Sequence, residues 1–238
     1  MALYHRFLDA VPWYLARYYW WAYLWKRSIW FFDHQPMINA ILFGHYEKLM
    51  HATLARYQPQ PGEHCLQLTC VYGKLTPQLA RLSPTGLHIM DASMDQLALA
   101  RRKCADTPLY AARMDAESLG YIDDAFDSVV LFFLLHEMPT EARQNTFAEM
   151  LRVTRPGGTI LITEYGPLPT HHFLYRFAPF RWLLGWLEPF LPGFWHEDLD
   201  AKLNEAAAAS GKRIERVGKE AVIFSSFYRV IEYRLEMS

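Results

Sequence analysis

The stretch Cys65-Leu66-Gln67-Leu68-Thr69-Cys70-Val71-Tyr72-Gly73 governs the reading of this chain. Cys65 to Leu68 suits a buried strand, the next residues suit a tight loop, and Thr76-Pro77 suits the N-cap and first position of a helix. In ligand-binding α/β domains the first strand ends in a glycine-rich turn, because backbone amides must approach the ligand where a side chain would block them. Of such a turn only Gly73 is present here, so the stretch alone reads rather as an ordinary core strand and turn. The residues downstream of Gly73 decide between the two.

Gly86-Leu87-His88-Ile89-Met90-Asp91 is a second apolar strand ending in an acid. Asp91 stands close to the spacing of about 20 residues at which dinucleotide-type folds place the carboxylate for the ribose hydroxyls. Ser93 and Gln96 form a capping box for a helix through about Cys104. Tyr110 to Met114 is a third strand running into Asp115-Ala116-Glu117. Phe126 to Phe133 is a fourth, apolar enough for a parallel strand buried on both faces, and leads to Leu135-His136-Glu137-Met138. A helix from about Thr140 ends in Arg152-Val153-Thr154-Arg155-Pro156-Gly157-Gly158, and Thr159 to Thr163 is a fifth strand closing at Glu164. Asp198 or Asp200 caps a helix through the alanines to Ser210, and strands around 213–224 and 227–235 complete the chain. The expectation is α/β: a seven-stranded, mostly parallel, doubly wound sheet with its ligand across the carboxyl ends of the strands.

The 238 residues, 52% of them hydrophobic, suffice for one main core. A formal charge of -1 gives no basic field, so nucleic acid is not an expected partner. Cys65, Cys70 and Cys104 have no zinc spacing and read as reduced core residues of a cytosolic or matrix-like compartment.

Aromatic residues are 16% of the chain, and all eight tryptophans lie in Trp13 to Trp30 or Trp182 to Trp195. Val11 to Phe32 is broken by Arg17, Lys26 and Arg27, so it neither spans a bilayer nor resembles a secretory signal. Tryptophan and tyrosine among cations suit the boundary of an anionic leaflet; packing on the protein's own core or on a partner is the competing reading. Pro36 starts a helix through about Arg56, on which His45 and Tyr46 are within reach of a ligand. The expected divisions are 1–58, aromatic helices at the membrane interface and over the substrate, and 59–238, the ligand-binding domain with a cover inserted at 165–197.

Gln67 with Thr69, Val71 and Gly73, then Asp91, Met114-Asp115-Ala116, Phe126-Asp127 with His136, and Arg152-Val153 with Pro156-Gly157-Gly158 together resemble, in order and spacing, the motifs of class I S-adenosylmethionine (SAM) methyltransferases. The resemblance implies the Rossmann-like fold and SAM as co-substrate. It puts Gln67 in the acidic position of motif I. The residues Thr69, Val71, Tyr72 and Gly73 flank the methionine part, Asp91 holds the ribose, and Met114, Asp115 and Ala116 border the adenine. Within that superfamily, Cys70-Val71-Tyr72-Gly73 and Trp20-Trp21-Ala22 are similar to the rhodoquinone biosynthesis proteins. That resemblance implies exchange of a methoxy group of ubiquinone for an amino group, with SAM as amino donor and a divalent cation, manganese foremost. It also implies a peripheral position on the cytoplasmic face of a bacterial inner membrane or the matrix face of the inner mitochondrial membrane.

The departures from motif I have a chemical reading. A quinone carbon bearing methoxy is a vinylogous ester, which a neutral amine attacks with loss of methanol. A carboxylate beside the amine would favour its ammonium form, and neutral Gln67 removes that effect. Val71 and Tyr72 are bulkier than glycine and shift the methionine portion, and Tyr72 is a candidate proton donor to the quinone oxygen or merely fills the loop. The expected catalytic residues are therefore Gln67, Tyr72 and His136. Candidate metal ligands are His136 first, then Glu137, Glu164, His171, His172 and His196, any of which also suits a solvated or capping role. Two other functions share these features: a SAM-dependent methyltransferase of a quinone or lipid, and a non-catalytic membrane-associated scaffold of a quinone pathway.

Overall fold

The computed structural model describes residues 11–237. The first ten residues of the expected 1–58 segment thus lie outside the described residues. Five short helices come first: α1 (Trp13–Tyr18), α2 (Trp20–Tyr23), α3 (Lys26–Phe32), α4 (Gln35–Ile41) and α5 (Tyr46–Leu54). Strands and helices then alternate as β1 (Cys65–Leu68), α6 (Leu75–Leu82), β2 (Leu87–Asp91), α7 (Met94–Lys103), β3 (Leu109–Arg113) and β4 (Phe126–Phe132). A 3-10 turn at Leu135–Glu137 leads to α8 (Thr140–Val153) and β5 (Thr154–Tyr165). The cover comes next as α9 (Phe173–Arg176), α10 (Ala178–Leu187) and α11 (Leu191–Trp195). The chain ends with α12 (Leu199–Ala209), β6 (Ile214–Arg216), β7 (Ala221–Ile223) and β8 (Tyr228–Leu235).

The sheet runs β3-β2-β1-β4-β5-β8-β6, with β7 also on β8. Strands β1 to β5 pair in parallel, and β8 is antiparallel to β5. Every residue of β1 and β4 is buried, as expected of central strands covered on both faces. The register sets Leu68 beside Met90 and Leu131, so the loops leaving β1, β2 and β4 gather along one edge. One apolar core joins the N-terminal helices to the sheet, with Tyr14, Ile38, Tyr46 and Leu49 in the same cluster as Leu66, Val130, Ile160 and Ile231. Cys65, Cys70 and Cys104 are free and buried.

The structure corrects several boundaries. The helix expected from Pro36 to Arg56 is two helices, because Phe43 (φ 50°) and Gly44 (φ 78°) turn left-handed between them. The turn brings the Phe43 ring against Phe180, Phe224 and Phe227. Helix α6 starts at Leu75 rather than at Pro77, and its first amides are capped by the Tyr46 hydroxyl, which accepts from Lys74 N (2.6 Å) and Leu75 N (3.0 Å). Half of the capping box forms: Ser93 Oγ accepts from Gln96 N, but the Ser93 amide bonds to Asp91 Oδ1 instead of to the Gln96 side chain. The sheet has eight strands rather than seven. Residues 213–224 break at Gly218 (φ 63°) into β6 and β7, which lie in succession along the same edge of β8.

The last turn before the cover is tight. Gly166 N donates to Phe227 O at 2.9 Å, and a Cβ on Gly166 would lie 2.0 Å from the Ser226 carbonyl oxygen. Both sides are backbone, so neither can yield cheaply. Gly166→Ala is expected to lower the free energy of unfolding by about 2 to 4 kcal/mol, read from the urea midpoint, through this enforced backbone shift.

Candidate functional site

A single cavity of about 450 Å³ opens where the loops after β1, β2 and β4 meet the N-terminal helices and the cover. At one end lie Thr69, Cys70, Val71 and Tyr72 from the loop after β1, Asp91 from the end of β2, and Met114, Asp115 and Ala116 beyond β3. At the other lie His136, Glu137, Tyr165 and Glu188. Between them the walls are apolar, supplied by Leu15, Ile38, Leu42 and Phe132 among others. The structure thus brings together eight expected residues: Thr69, Val71, Tyr72, Asp91, Met114, Asp115, Ala116 and His136.

Asp91 is buried, and its oxygens accept from Cys70 N (2.8 Å) and Ser93 N (2.7 Å). Burial raises its pKa to about 6, the two amide bonds opposing. The Cys70 thiol also hydrogen-bonds to this carboxylate, and since a carboxylate has about four acceptor sites, some capacity remains for a hydroxyl group in the cavity. Thr69 holds the loop in a left-handed turn (φ 63°), a conformation that usually selects glycine.

Gln67 and Gly73 are not where the sequence puts them. Gln67 is fully buried behind the loop and does not line the cavity; its Nε2 donates to Thr69 O and Thr76 Oγ1, both at 3.0 Å. It positions the loop and the start of α6 rather than facing a ligand. Gly73 is likewise outside the cavity, since its open side is filled: a Cβ there would lie 2.5 Å from the Tyr46 hydroxyl oxygen. The Gly73 amide donates to Asp33 Oδ1 (2.9 Å), which also accepts from Lys103 Nζ (2.6 Å).

Tyr72 lines the cavity, but its proton is committed. The hydroxyl donates to Ala22 O at 2.5 Å, and burial pushes its pKa far upward, so it is not a free acid. Its ring stacks on Tyr23 at 5.8 Å. Tyr72 therefore fastens the N-terminal helices over the loop, and the same face is held by Ser93 Oγ donating to Tyr23 O (2.9 Å).

His136 stands on the 3-10 turn after β4, buried among carboxylates. Arg143, itself buried, donates to the carbonyls of Leu135 and Met138 and so fixes that turn. His136 Nδ1 lies 2.9 and 3.0 Å from the two oxygens of Glu164, which also accepts from Leu135 N and Tyr165 N. Nε2 is left toward Glu188 Oε2, 3.8 Å away. Burial alone would lower the imidazole pKa, but the charge and hydrogen bond of Glu164 outweigh it and raise it to about 9. Burial pushes up Glu137 and Glu188, with His136 opposing in each case. Tyr23 donates to Glu137, and Tyr19 donates to Glu188 at 3.0 Å.

One ligand atom each from His136, Glu137 and Glu188 lie within 4.8 Å of one another. Two buried carboxylates and the half-buried Glu188 stand around one imidazole, and when ionised they carry an excess of negative charge that a divalent cation of oxygen and nitrogen preference neutralises. Glu164 behind His136 matches the carboxylate–histidine arrangement that orients metal ligands. The residues fit such a cation. Of the expected ligands, Glu164 is thus an orienting group. His172 caps α9 by accepting from Leu174 N, and His171 and His196 are exposed outside this group. Glu188 was missed, although it is an isolated acid between Trp186-Leu187 and Pro189-Phe190, which is a usable signal.

Gln67→Glu would remove both donors and set an unpaired carboxylate against Thr69 O. It is expected to cost about 2 to 4 kcal/mol of stability, read from urea unfolding, and an unchanged midpoint would contradict the positioning role.

Residues 65–158 match the family described as methyltransferase domain. A ubiquinone/menaquinone biosynthesis C-methyltransferase of Burkholderia cenocepacia is 31% identical over 139 residues, 55% of this chain and 56% of that protein. A demethylmenaquinone methyltransferase of Halalkalibacterium halodurans is 31% identical over 152 residues, 60% of this chain and 61% of that one. The alignments therefore span little more than half of these relatives. Among solved structures, a phosphoethanolamine N-methyltransferase of Haemonchus contortus superposes with TM-score 0.64 at 17% identity, covering 94% of this chain and 60% of that one. The magnesium protoporphyrin IX methyltransferase of Synechocystis PCC 6803 does so with TM-score 0.55 at 17% identity, covering 82% and 84%. With its mostly parallel sheet, flanking helices and this span of matched sequence, the chain has the Rossmann-like fold of the SAM-dependent methyltransferases.

Proposed function

We propose that this protein is a SAM-dependent transferase acting on the ring of a polyprenyl quinone, and that it replaces a methoxy group of ubiquinone with an amino group taken from SAM. The observation that carries the reading is the shared cavity. The motif residues Asp91 and Met114 to Ala116 stand at one end of an apolar chamber, and His136, Glu137 and Glu188 stand at the other. The names of the curated relatives support a quinone ring as acceptor and, by themselves, favour methyl transfer. Methylation of such a ring is accordingly the second reading. Amino transfer rests on the likeness to rhodoquinone biosynthesis proteins at Cys70 to Gly73 and on a loop that presents Thr69 and Val71 where glycines would stand.

In this reading Asp91 accepts from the ribose hydroxyls with its remaining acceptor capacity, and Met114, Asp115 and Ala116 border the adenine. His136, Glu137 and Glu188 would hold a divalent cation, manganese foremost. Bound there, such a cation supplies Lewis acidity toward an oxygen of the quinone ring. Glu164 keeps the His136 ring turned so that Nε2 faces the cavity. Apolar walls hold the ring and the start of its tail and exclude water from the reacting carbon. Neutral Gln67 leaves no carboxylate behind the loop to hold the amine of SAM as ammonium. The amine nitrogen bonds to the ring carbon as methanol leaves; a shift of the Cα hydrogen then reduces the ring, and hydrolysis of the resulting carbon–nitrogen double bond releases the methionine carbons as a 2-oxo acid and leaves the amino group on the ring.

Incubating the protein with SAM, a short-tailed ubiquinone and manganese, then reading the product mass, separates the possibilities. Methoxy exchanged for amino is the expected result, and a methyl gained would establish the second reading. Chelation is expected to abolish turnover and Glu188→Gln to reduce it more than about tenfold. No product together with no SAM binding would instead leave the scaffold function.

Asp91 also gives a pH dependence. Its carboxyl is ionised above about pH 6 and protonates below it. The protonated form cannot accept from both ribose hydroxyls, so affinity falls as pH drops through that value. Calorimetric titration with S-adenosylhomocysteine is expected to show constant affinity above about pH 7 and weakening of up to about tenfold per unit below pH 6. A flat profile would remove Asp91 from the ribose contact.

A further inference from the structure

We infer that the two tryptophan segments form one docking surface for an anionic lipid bilayer, bordering the cavity. The inference is independent of the ring chemistry proposed above. The segments are far apart in sequence but meet in space, where the Phe190 ring packs edge-on against Trp13 (6.4 Å) and Tyr18 (5.4 Å). Pro12 and Leu15 of the first segment and Leu187 at the end of α10 line the cavity itself, so both segments border it.

Six of the tryptophans in these segments are exposed, and Trp30 (67%), Trp182 (73%) and Trp186 (70%) are exposed far beyond what a side chain of this size usually tolerates in water. Rings that served only the core would be buried as Trp195 is, at 7%. Charge identifies the occupant. Residues 11–32 and 165–187 carry Arg17, Lys26, Arg27, Arg176 and Arg181 and no Asp or Glu, in a chain whose formal charge is -1. All five cations are exposed. Wide amphipathic rings among cations in segments free of acids match the headgroup boundary of an anionic leaflet. Among the described residues no helix is long and apolar enough to cross a membrane, so this surface lies on the leaflet.

Flotation with vesicles tests it, using neither SAM nor quinone. The protein is expected to float with phosphatidylcholine vesicles containing about a third phosphatidylglycerol, and several-fold less with pure phosphatidylcholine or in about 0.5 M salt. Trp182→Ser with Trp186→Ser is expected to weaken flotation more than about tenfold, with the circular dichroism spectrum unchanged to show that the variant folds. Wild-type protein that stays in the soluble fraction with anionic vesicles would overturn the inference. So would a stable dimer whose formation buries these tryptophans and which does not float.

Discussion

The constraint on which the site depends is the burial of His136 and Glu164 side by side at the ends of β4 and β5. Glu164 is wholly buried, and its two oxygens serve the imidazole and the amides of Leu135 and Tyr165. Removing such groups from water costs several kcal/mol per ion, and their mutual attraction repays that only with full hydrogen bonding. An apolar pair would hold two strand ends together at least as well. The fold retains an ionic pair here, and adds Glu137 and Glu188 around it, which is the pattern of a site that sacrifices stability for chemistry.

Tyrosine makes that arrangement tolerable. A carboxylate cluster under an apolar roof needs donors that bring no charge of their own. Tyr19 and Tyr23, one helical turn apart, carry a hydroxyl each to Glu188 and Glu137 while their rings build the wall. Tyr46 caps α6 by the same logic, and Tyr72 ties the loop after β1 to Ala22. Each ring supplies apolar area on one side and one polar atom at its tip, so the N-terminal helices close over the cavity without adding charge to it.

How much of this was legible in sequence depends on distance along the chain. Strands β1, β2 and β4 were legible because buried parallel strands are written as short apolar runs, and the carboxyl ends of β2 and β4 placed Asp91 and His136 on one edge. The break at Phe43-Gly44 was hidden because apolar spacing continues through both halves of the helix, although Gly44 marked it. The partners of Tyr19, Tyr23 and Tyr72 lie far away in the chain, and no local pattern tells a hydroxyl which distant carboxylate or carbonyl it will meet. Gln67 misled for a related reason. Its place in the motif was right, but the direction of a buried amide is set by neighbours such as Thr76, nine positions on, and not by the motif itself.

The loop after β1 shows how a glycine-rich turn can lose its glycines and keep its place. Glycine serves there by permitting a left-handed turn and a close backbone approach. Here Thr69 takes the left-handed turn, and its conformation is held from outside by Gln67 on its carbonyl and by Asp91 on the next amide. Close approach is given up at Gly73, whose open side is filled by Tyr46 and whose amide is taken by Asp33. A ligand in the cavity therefore meets the side chains of Val71 and Tyr72 rather than bare backbone.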